Sequence, residues 1–409
     1  MSITRRQFVQ TSAAIAAFSS PAVRAFAQDA KIVKLGGSAP FSGNFATLGL
    51  DIYEGYKIAV KYINEVLGGF DVAGEKYKLE LNIIDDASDP QRAVTLLQRQ
   101  LDEGVDLFLG SYSSTIVLPQ VAITERARKP LVQAGGGSDQ LFTHGYKYSF
   151  GIYPRSTRQC WSVAELLVSL GIKQISTVST NDPTGTALIA GFKEKLATTD
   201  IQVLEDFKLP ANVNEVSGIV NSVRANPPEA LMCFTAGEQP ARLIVQQMVS
   251  TNTTVKLLFI SVGPETEAFR TALGKYSNEI LYNSGWDPRS TFKDPIFGNT
   301  QNYFEYFEAN AQRDWSTQTA AASACIVTYV EAMKKAGTVE PQAVRDALAA
   351  SDFSSMYGPV KFTPDGDGDA IAMAIRTAQI QDGKSEIVFP EAAATAKVRY
   401  PIKPWSERS

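Results

Sequence analysis

Short apolar runs alternate with segments of helical periodicity along most of this chain, and this alternation limits the possible folds more than any other feature. Apolar runs between polar residues predict buried strands, and apolar residues at helical spacing predict the helices that follow them. Such a series forms a mostly parallel sheet with helices on both faces. Strands are predicted at 31–37, 79–85, 105–110, 130–133, 174–179, 201–208, 230–235 and 255–261, with helices at 50–67, 93–103, 117–126, 160–170, 185–197, 213–225 and 241–250.

The series divides into two α/β units of similar size, because a second run of strands and helices begins after His144 and Gly145. A chain of 409 residues is also too long for one ordinary hydrophobic core, so we expect two lobes. After Trp286 the rhythm changes. We predict long helices at 294–312 and 318–337, a shorter one at 341–350, and a hairpin of strands from 360–363 and 370–382.

The first 27 residues have the parts of an export leader. Arg5 and Arg6 precede an uncharged stretch at 11–18, and the segment ends in Ala-Phe-Ala at 25–27. Paired arginines in this context predict the twin-arginine route and a mature chain that begins near Gln28. The alternative is an amphipathic helix of the fold itself, which the Ser-Ser-Pro sequence after the apolar stretch disfavours.

Charge and residue counts narrow the classes of function. Removing the leader leaves 36 basic and 43 acidic residues, a net charge of −7, which argues against nucleic acid or an anionic membrane as partner. His144 is the only histidine, and Cys160, Cys233 and Cys325 are far apart. One histidine and three separated cysteines are too few to indicate a zinc site, a histidine-based catalytic triad or a disulfide framework. We therefore expect no metal, no cofactor and no enzymatic activity.

Two small-residue loops follow predicted strands. Residues 135–138 read Gly-Gly-Gly-Ser, and residues 110–114 read Gly-Ser-Tyr-Ser-Ser before a helix. Open α/β sheets bind ligands at the carboxyl ends of their strands, and N–H groups at a helix start favour an anion. Neither loop matches a nucleotide-binding motif. Two alternatives stay open: the first loop is simply a tight turn, and Ser113 or Ser114 simply caps the helix.

Two acidic segments are weaker candidates for a site. Residues 365–369 alternate Asp and Gly like the opening of a calcium loop, but Ala370 and Arg376 stand where that loop needs glycine and glutamate. A hairpin turn is favoured there. Asp85, Asp86 and Asp89 precede Pro90, which is an ordinary signal for the start of a helix.

Seven segments in order resemble the leucine/isoleucine/valine-binding family of type I periplasmic binding proteins, which serve ABC importers: 39–43, 85–90, 110–114, 135–138, 263–265, 285–288 and 358–362. The resemblance covers nearly all of the mature chain. It implies an α/β fold of two doubly wound parallel-sheet lobes, joined by crossovers near Gly151, Trp286 and Phe362. It assigns to lobe 1 residues 28–151 and 287–361, and to lobe 2 residues 152–286 and 362–409.

The resemblance also implies a ligand site in the cleft between the lobes. It assigns the ligand carboxylate to Ser114 and the 135–137 loop, and the ligand ammonium to Glu265. Side chains near Ser156, Thr184 and Glu238 would assist, and aromatic residues would form the wall. The expected ligand-binding residues are Tyr112, Ser113, Ser114, Gly135, Gly136, Gly137, Tyr153, Thr184, Glu238, Glu265 and Trp286, with Phe45 and Leu48 as further candidates for the wall or the core.

Four positions depart from the family pattern. Gly137 stands where the family usually has threonine, Ser156 where it has an acid, Thr184 where it has tyrosine, and Glu238 where aromatic residues are common. The α-amino-acid clamp is therefore only partly present. Two carboxylates, at Glu238 and Glu265, could hold a cationic or a hydroxylated group, because a carboxylate accepts hydrogen bonds from both.

The expected function is that of a periplasmic solute-binding subunit of an ABC importer, which captures an amino acid or a related small carboxylate. Its expected partners are that ligand and an ABC permease, with no nucleic acid, and the expected state is a monomer. One alternative is an exported ligand-sensing protein that signals to a membrane receptor. A third possibility, an exported α/β enzyme, needs a nucleophile and base that the sequence does not supply.

Overall fold

The structure is a computed structural model that describes residues 30–210, 212–366 and 375–408. The predicted leader, with Arg5 and Arg6, lies outside the described residues. Among those residues, none of the helices has the length and apolarity that crossing a membrane requires. Cys160, Cys233 and Cys325 are all buried as free thiols.

The first lobe is built on a six-stranded sheet with the order β2-β3-β1-β4-β5-β6. All neighbours are parallel except β2 and β3, which form an antiparallel hairpin. The strands are β1 Lys31–Ala39, β2 Phe70–Val72, β3 Glu75–Asp85, β4 Leu107–Leu109, β5 Leu131–Gln133 and β6 Ser149–Gly151. The helices between them are α1 Ala46–Lys61, which continues as a π-helical turn over Tyr62–Val66, α2 Pro90–Asp102, α3 Ser114–Ala127 and α4 Gln140–Thr143.

After Gly151 the chain enters a second sheet, where the strand and helix alternation resumes. Five of its strands are β7 Gln174–Asn181, β8 Gln202–Pro210, β9 Ala230–Phe234, β10 Leu257–Ile260 and β11 Leu281–Ser284, all parallel to their neighbours in this set. The helices are α5 Ser156–Gln159, α6 Trp161–Ser169, α7 Pro183–Leu196, α8 Ser217–Ala225, α9 Glu238–Ser250 and α10 Glu267–Leu273 with a 3-10 turn at Gly274–Ser277.

At Trp286 the chain returns to the core of the first lobe. Two short hairpins and three helices follow: β12 Lys293–Asp294 with β13 Gly298–Asn299, α11 Thr300–Asn310, α12 Thr317–Ala336, α13 Pro341–Ala349, and β14 Asp352–Ser355 with β15 Gly358–Lys361. Helix α12 is buried along most of its length, which explains its apolar sequence. A capping box at Ser316 and Thr319 starts it, and Gly337, with a φ of 66°, ends it.

A third crossing, after Phe362, brings the chain back to the second sheet through β16 Arg376–Gln381 and β17 Lys384–Phe389. The completed sheet has the order β17-β16-β11-β10-β9-β7-β8, and β16 is antiparallel to both neighbours. Two 3-10 turns, Glu391–Ala393 and Trp405–Glu407, close the described chain. The prediction of two doubly wound lobes linked by three crossovers is confirmed. The residue boundaries assigned to each lobe stay a prediction.

Two predictions after Trp286 are wrong. The helix predicted from 294 begins only at Thr300, because Asp294 binds the N–H groups of Ile296 and Phe297 in a turn. The tail strands do not form one hairpin: β15 pairs with β14, and β16 pairs with β17. The turn between β16 and β17 contains Asp382 and Gly383. Their φ angles are 52° and 77°, the positive values that a two-residue hairpin turn favours.

Candidate functional site

The two small-residue loops meet at the carboxyl edge of the first sheet. Ser114 begins α3 after β4, and the Gly135–Ser138 segment follows β5. The hydroxyl oxygen of Ser114 accepts hydrogen bonds from the N–H groups of Gly137 at 3.1 Å and Ser138 at 3.0 Å. Ser113 occupies the N-cap position of α3 but makes no capping bond with its side chain. The interpretation of these serines as simple side-chain caps is therefore wrong.

A buried polar network fixes the loop that carries Ser114. The Asp86 carboxylate accepts hydrogen bonds from the hydroxyls of Ser38 at 2.7 Å and Ser111 at 2.6 Å. Gln120 completes the network, since its amide donates to Ser38 and its amide oxygen accepts from the Ser111 N–H. Burial raises the pKa of Asp86, and these hydroxyl donors oppose that shift. Asp86 is thus a structural residue, which positions the loop.

The glycines of the second loop are required by close packing. A Cβ at Gly135 would lie 2.0 Å from the carbonyl oxygen of Ser111. A Cβ at Gly137 would lie 2.6 Å from the Ser156 hydroxyl, and the Ser156 N–H donates to the Gly137 carbonyl at 2.6 Å. Gly136 is held by the side chain of Gln133, which both donates to it and accepts from it. The departures at Gly137 and Ser156 therefore form one tightly packed pair.

Two glutamates lie at the facing edge of the second sheet. Glu265 follows β10, is buried, and accepts a hydrogen bond from the Gly263 N–H at 2.6 Å. Burial raises the pKa of Glu265 to about 7, which Asp51 reinforces and Arg270 opposes. Glu238 follows β9, begins α9, and pairs with Arg242 at 3.1 Å.

Of two tyrosines whose pKa values are affected by Glu265, one bonds to the other lobe. The Tyr112 hydroxyl donates to the carbonyl of Ala236 in the other lobe at 3.0 Å. Burial raises the pKa of Tyr112 and of Tyr153, and in both cases the Glu265 charge adds to the shift. The ring of Phe45 packs edge-on against Tyr112 at 5.9 Å.

Three hydroxyls of the expected site have no hydrogen-bond partner within the described part of the chain: those of Ser113, Ser156 and Thr184. All three residues are buried. A buried hydroxyl without a partner is costly, so each is a donor or acceptor that a bound ligand could satisfy.

Trp286 and Leu48 lie in the packed core of the first lobe. The Trp286 indole donates to the Met356 carbonyl at 2.9 Å, and its ring packs edge-on against Trp315 at 5.6 Å. Trp286 therefore has a structural role in the core, whereas the sequence led us to expect it only in the wall of the ligand site. Its contact with a ligand stays a prediction.

Two polar contacts across the cleft were not predicted. Arg270 in α10 pairs with Asp314, in the segment before α12, at 2.8 Å, and Asn44 donates to Asn212 at 2.8 Å. Arg270 also donates to the main-chain carbonyl of Glu265 at 2.8 Å. No local sequence signal marks these pairs, because their members lie far apart in the chain. In the regions that the structure describes, no cluster of three His, Cys, Asp or Glu residues could hold a metal ion.

The model of the family described as periplasmic binding protein matches residues 32–385. This chain belongs to that family. Two curated relatives are both named as homologues of the Leu/Ile/Val-binding protein. Homolog 8 of Brucella suis biovar 1 (strain 1330) is 25% identical over 94% of this chain and 96% of its own length. Homolog 7 of Brucella abortus (strain 2308) is 25% identical over 90% of this chain and 94% of its own length.

Solved structures share the fold of this periplasmic binding protein. A leucine-binding protein from Thermotoga maritima covers 87% of this chain and 97% of its own, with a TM-score of 0.77 and 18% identity. A branched-chain amino acid substrate-binding protein from Streptococcus pneumoniae, in complex with isoleucine, covers 91% and 100% with a TM-score of 0.77 and 20% identity. A solute-binding protein from R. palustris, in complex with benzoate, covers 91% and 99% with a TM-score of 0.76 and 19% identity.

Membership in the family confirms several expectations. This chain is a periplasmic binding protein, and the solute-binding proteins of this family are not enzymes. Members of the family are exported to the periplasm, bind small molecules and work with ABC permeases.

Proposed function

We propose that this protein captures a small carboxylate with an amino or hydroxyl group and delivers it to an ABC permease. One observation carries the proposal. The Ser114 hydroxyl and the 135–138 loop stand at the carboxyl edge of one sheet, and the buried Glu265 carboxylate stands at the facing edge of the other. Donors on one lobe and an acceptor on the other suit a ligand with a carboxylate at one end and a donor at the other.

The carboxylate end would bind beside Ser114. Because the Ser114 oxygen already accepts two N–H groups, its own proton is available to donate to a ligand oxygen. Ser113 and Ser156 add buried hydroxyls without partners in the described chain. Hydrogen bonds to a charged group contribute about 1.5–3 kcal/mol each, enough to hold a small anion when several converge.

The donor end would bind Glu265. Within the described residues its side chain is bonded only to main-chain N–H groups, those of Gly263 and of Glu265 itself, so no other side chain competes with a ligand donor for this carboxylate. An ammonium or a hydroxyl would supply the missing donor. Glu238 already has Arg242 as its partner, so Glu265 is the stronger candidate.

The side chain of the ligand is the less constrained part. The replacement of an acid by Ser156 and of tyrosine by Thr184 weakens the usual amino-acid clamp. The R. palustris neighbour is in complex with benzoate, and the S. pneumoniae neighbour with isoleucine, so both named ligands carry a carboxylate. These two ligands support a carboxylate group on the ligand of this protein, but they do not indicate the structure of the rest of that ligand. The sensing alternative shares this site, but relatives named for ABC-transported amino acids favour transport.

The remaining features of the proposal concern the whole molecule. We propose that residues 1–27 direct export by the twin-arginine route and that the mature protein is a periplasmic monomer without nucleic-acid partners. We also propose that lobe 1 consists of 28–151 and 287–361, and lobe 2 of 152–286 and 362–409, so that closure occurs about the three crossovers.

Native mass spectrometry of the purified mature protein tests the ligand directly, because a ligand that is buried on closure dissociates slowly. The expected result is a small carboxylate of fixed mass that denaturation releases. A thermal-shift screen of amino acids, hydroxy acids and aromatic acids should identify the same compound, since a ligand at 100 times its Kd adds about 2.7 kcal/mol. Stabilisation only by compounds that lack a carboxylate would overturn the proposal.

A further inference from the structure

One buried tyrosine outside the expected site has no hydrogen-bond partner. Tyr357 lies in the turn between β14 and β15, and its side chain is 2% exposed. Its hydroxyl makes no hydrogen bond to any residue that the structure describes. Other buried tyrosines of the same lobe are satisfied: the hydroxyl of Tyr56 donates to Gly110 at 2.9 Å, and that of Tyr329 donates to Phe108 at 2.7 Å. Tyr357 is therefore an exception that packing alone does not explain.

The Tyr357 hydroxyl lies among residues next to the crossovers between the lobes. It lies 2.7 Å from where a Cβ would stand on Gly285, the residue at which the chain leaves the second sheet. The ring of Tyr153, just past the first crossover, approaches the same point at 3.1 Å, and the Thr317 methyl at 2.9 Å. Tyr153 is itself one of the expected ligand-binding residues. The Tyr357 hydroxyl is thus at the hinge end of the same cleft.

The turn that carries Tyr357 is held rigidly. The Met356 N–H donates to Asp294 at 2.7 Å, and the Met356 carbonyl accepts from the Trp286 indole and the Thr300 hydroxyl, each at 2.9 Å. Such fixed main-chain bonds on the neighbouring residue restrict where the phenol can move. A preorganised hydroxyl is what a binding site needs to discriminate between ligands.

A second orphaned polar atom belongs to the residue that follows Thr317. Gln318 follows Thr317 in the first turn of α12, is buried, and has an amide oxygen without a partner in the described chain. An amide oxygen accepts hydrogen bonds, whereas a phenol can donate or accept. A ligand hydroxyl, which both donates and accepts, could satisfy either of these atoms.

We infer that Tyr357 is a specificity-determining residue at the hinge end of the cleft, and that the ligand carries a hydroxyl or similar polar group at the end remote from its carboxylate. This inference rests on the proposed function. A purely aliphatic side chain, as in leucine or isoleucine, would leave the Tyr357 hydroxyl unsatisfied. Sites built to bind a hydroxyl strongly reject analogues that lack one.

The test uses three pairs of compounds in which a hydroxyl of one member replaces a hydrogen or a methyl group of the other: L-phenylalanine and L-tyrosine, L-valine and L-threonine, and benzoate and 4-hydroxybenzoate. Isothermal titration calorimetry on the mature protein should show at least one hydroxylated member binding tenfold or more tightly than its partner. Tyr357→Phe should reduce that preference to near unity while leaving the melting temperature of the free protein unchanged or higher, because it removes an orphaned hydroxyl. Tyr329→Phe, the matched control, should lower the melting temperature and keep the preference.

Two results would overturn the inference. If the non-hydroxylated member of a pair binds as tightly as the other, and Tyr357→Phe changes neither affinity, the proposed carboxylate site stands and the polar subsite falls. If none of the six compounds binds, the result counts against the subsite; the proposed function falls with it only when the wider thermal-shift screen also finds no carboxylate.

Discussion

The hydroxyl oxygen of Ser114 accepts the N–H of Gly137 at 3.1 Å, which ties together the loops that follow two neighbouring strands. The same oxygen accepts the Ser138 N–H at 3.0 Å. One side chain therefore sets the shape of the loop and keeps its own proton for the proposed ligand. The structural role of Ser114 and its proposed binding role are therefore coupled.

Ser114→Ala should therefore weaken both folding and binding. Two buried N–H groups would lose their acceptor, which should lower the free energy of unfolding by about 1–3 kcal/mol, and loss of the donor to a charged ligand should cost about tenfold or more in affinity. Chemical denaturation and calorimetry measure the two effects. Ser113→Ala is the control, because its hydroxyl has no partner in the described chain and its loss should change stability by less than about 0.5 kcal/mol. Equal stability of both variants would contradict the bonding role of Ser114.

Glu265 should make stability and binding respond oppositely to pH. Its pKa is raised by burial to about 7 in the folded protein from an ordinary value of 4.5, with Asp51 reinforcing and Arg270 opposing the shift. Between those pH values the folded state binds more protons than the unfolded state, so stability falls as pH rises through the window, by about 3 kcal/mol in total. Glu265→Gln should remove that dependence and stabilise the free protein above pH 7.

Affinity for a cationic ligand should instead rise as pH increases through 7, because the ionised carboxylate is the form that binds an ammonium. Calorimetry at pH 6 and pH 8 measures the difference. Glu238→Gln is the charge-matched control, since its carboxylate pairs with Arg242. It should retain the wild-type rise in affinity. An unchanged pH profile in Glu265→Gln would show that another group titrates.

The predicted leader allows a prediction about export that does not depend on the ligand site. Replacing Arg5 and Arg6 together by lysine keeps the charge of the segment but removes the arginine pair that the twin-arginine route requires. Unprocessed precursor should accumulate in the cytoplasm, and immunoblots of cell fractions would reveal it. Replacement of Arg24 alone by lysine is the control, and it should leave export intact. Normal processing of the double variant would assign the chain to a different export route.

The sequence predicts the fold well where each strand is buried on both faces. Every residue of β9, Ala230–Phe234, is buried, so the strand reads as an unbroken apolar run. Helix starts at Asp89-Pro90 and Glu340-Pro341 were also predicted, because side-chain caps are local signals, and both acids accept hydrogen bonds from helix N–H groups. The partners of the tail strands were not, because strand pairing is decided by tertiary contacts and by turns such as the one at Asp382-Gly383.

In the candidate site, too, some features could be predicted from the sequence and others depend on tertiary contacts. That the 110–114 and 135–138 loops lie close together follows from parallel strands ending at one edge of a sheet. The close contact between Gly137 and Ser156 could not be predicted, because it depends on how the first crossover approaches the loop. The orphaned hydroxyl of Tyr357 was missed for the same reason: nothing near it in sequence indicates that Gly285 and Tyr153 pack around it.

The pair of Arg270 and Asp314 should hold the closed form. Arg270 binds both Asp314, across the cleft, and the main-chain carbonyl of Glu265, so closure and the position of the ligand acceptor are linked. Asp314→Asn keeps an oxygen for the Trp315 N–H but loses the charge. We expect the ligand found by mass spectrometry to dissociate severalfold faster, since a partly exposed ion pair contributes about 0.2–1 kcal/mol. Asp352→Asn, which removes an exposed pair with Lys361 inside one lobe, should leave the rate unchanged. Equal dissociation rates in the two variants, measured by stopped-flow competition, would mean that closure does not depend on Arg270 and Asp314.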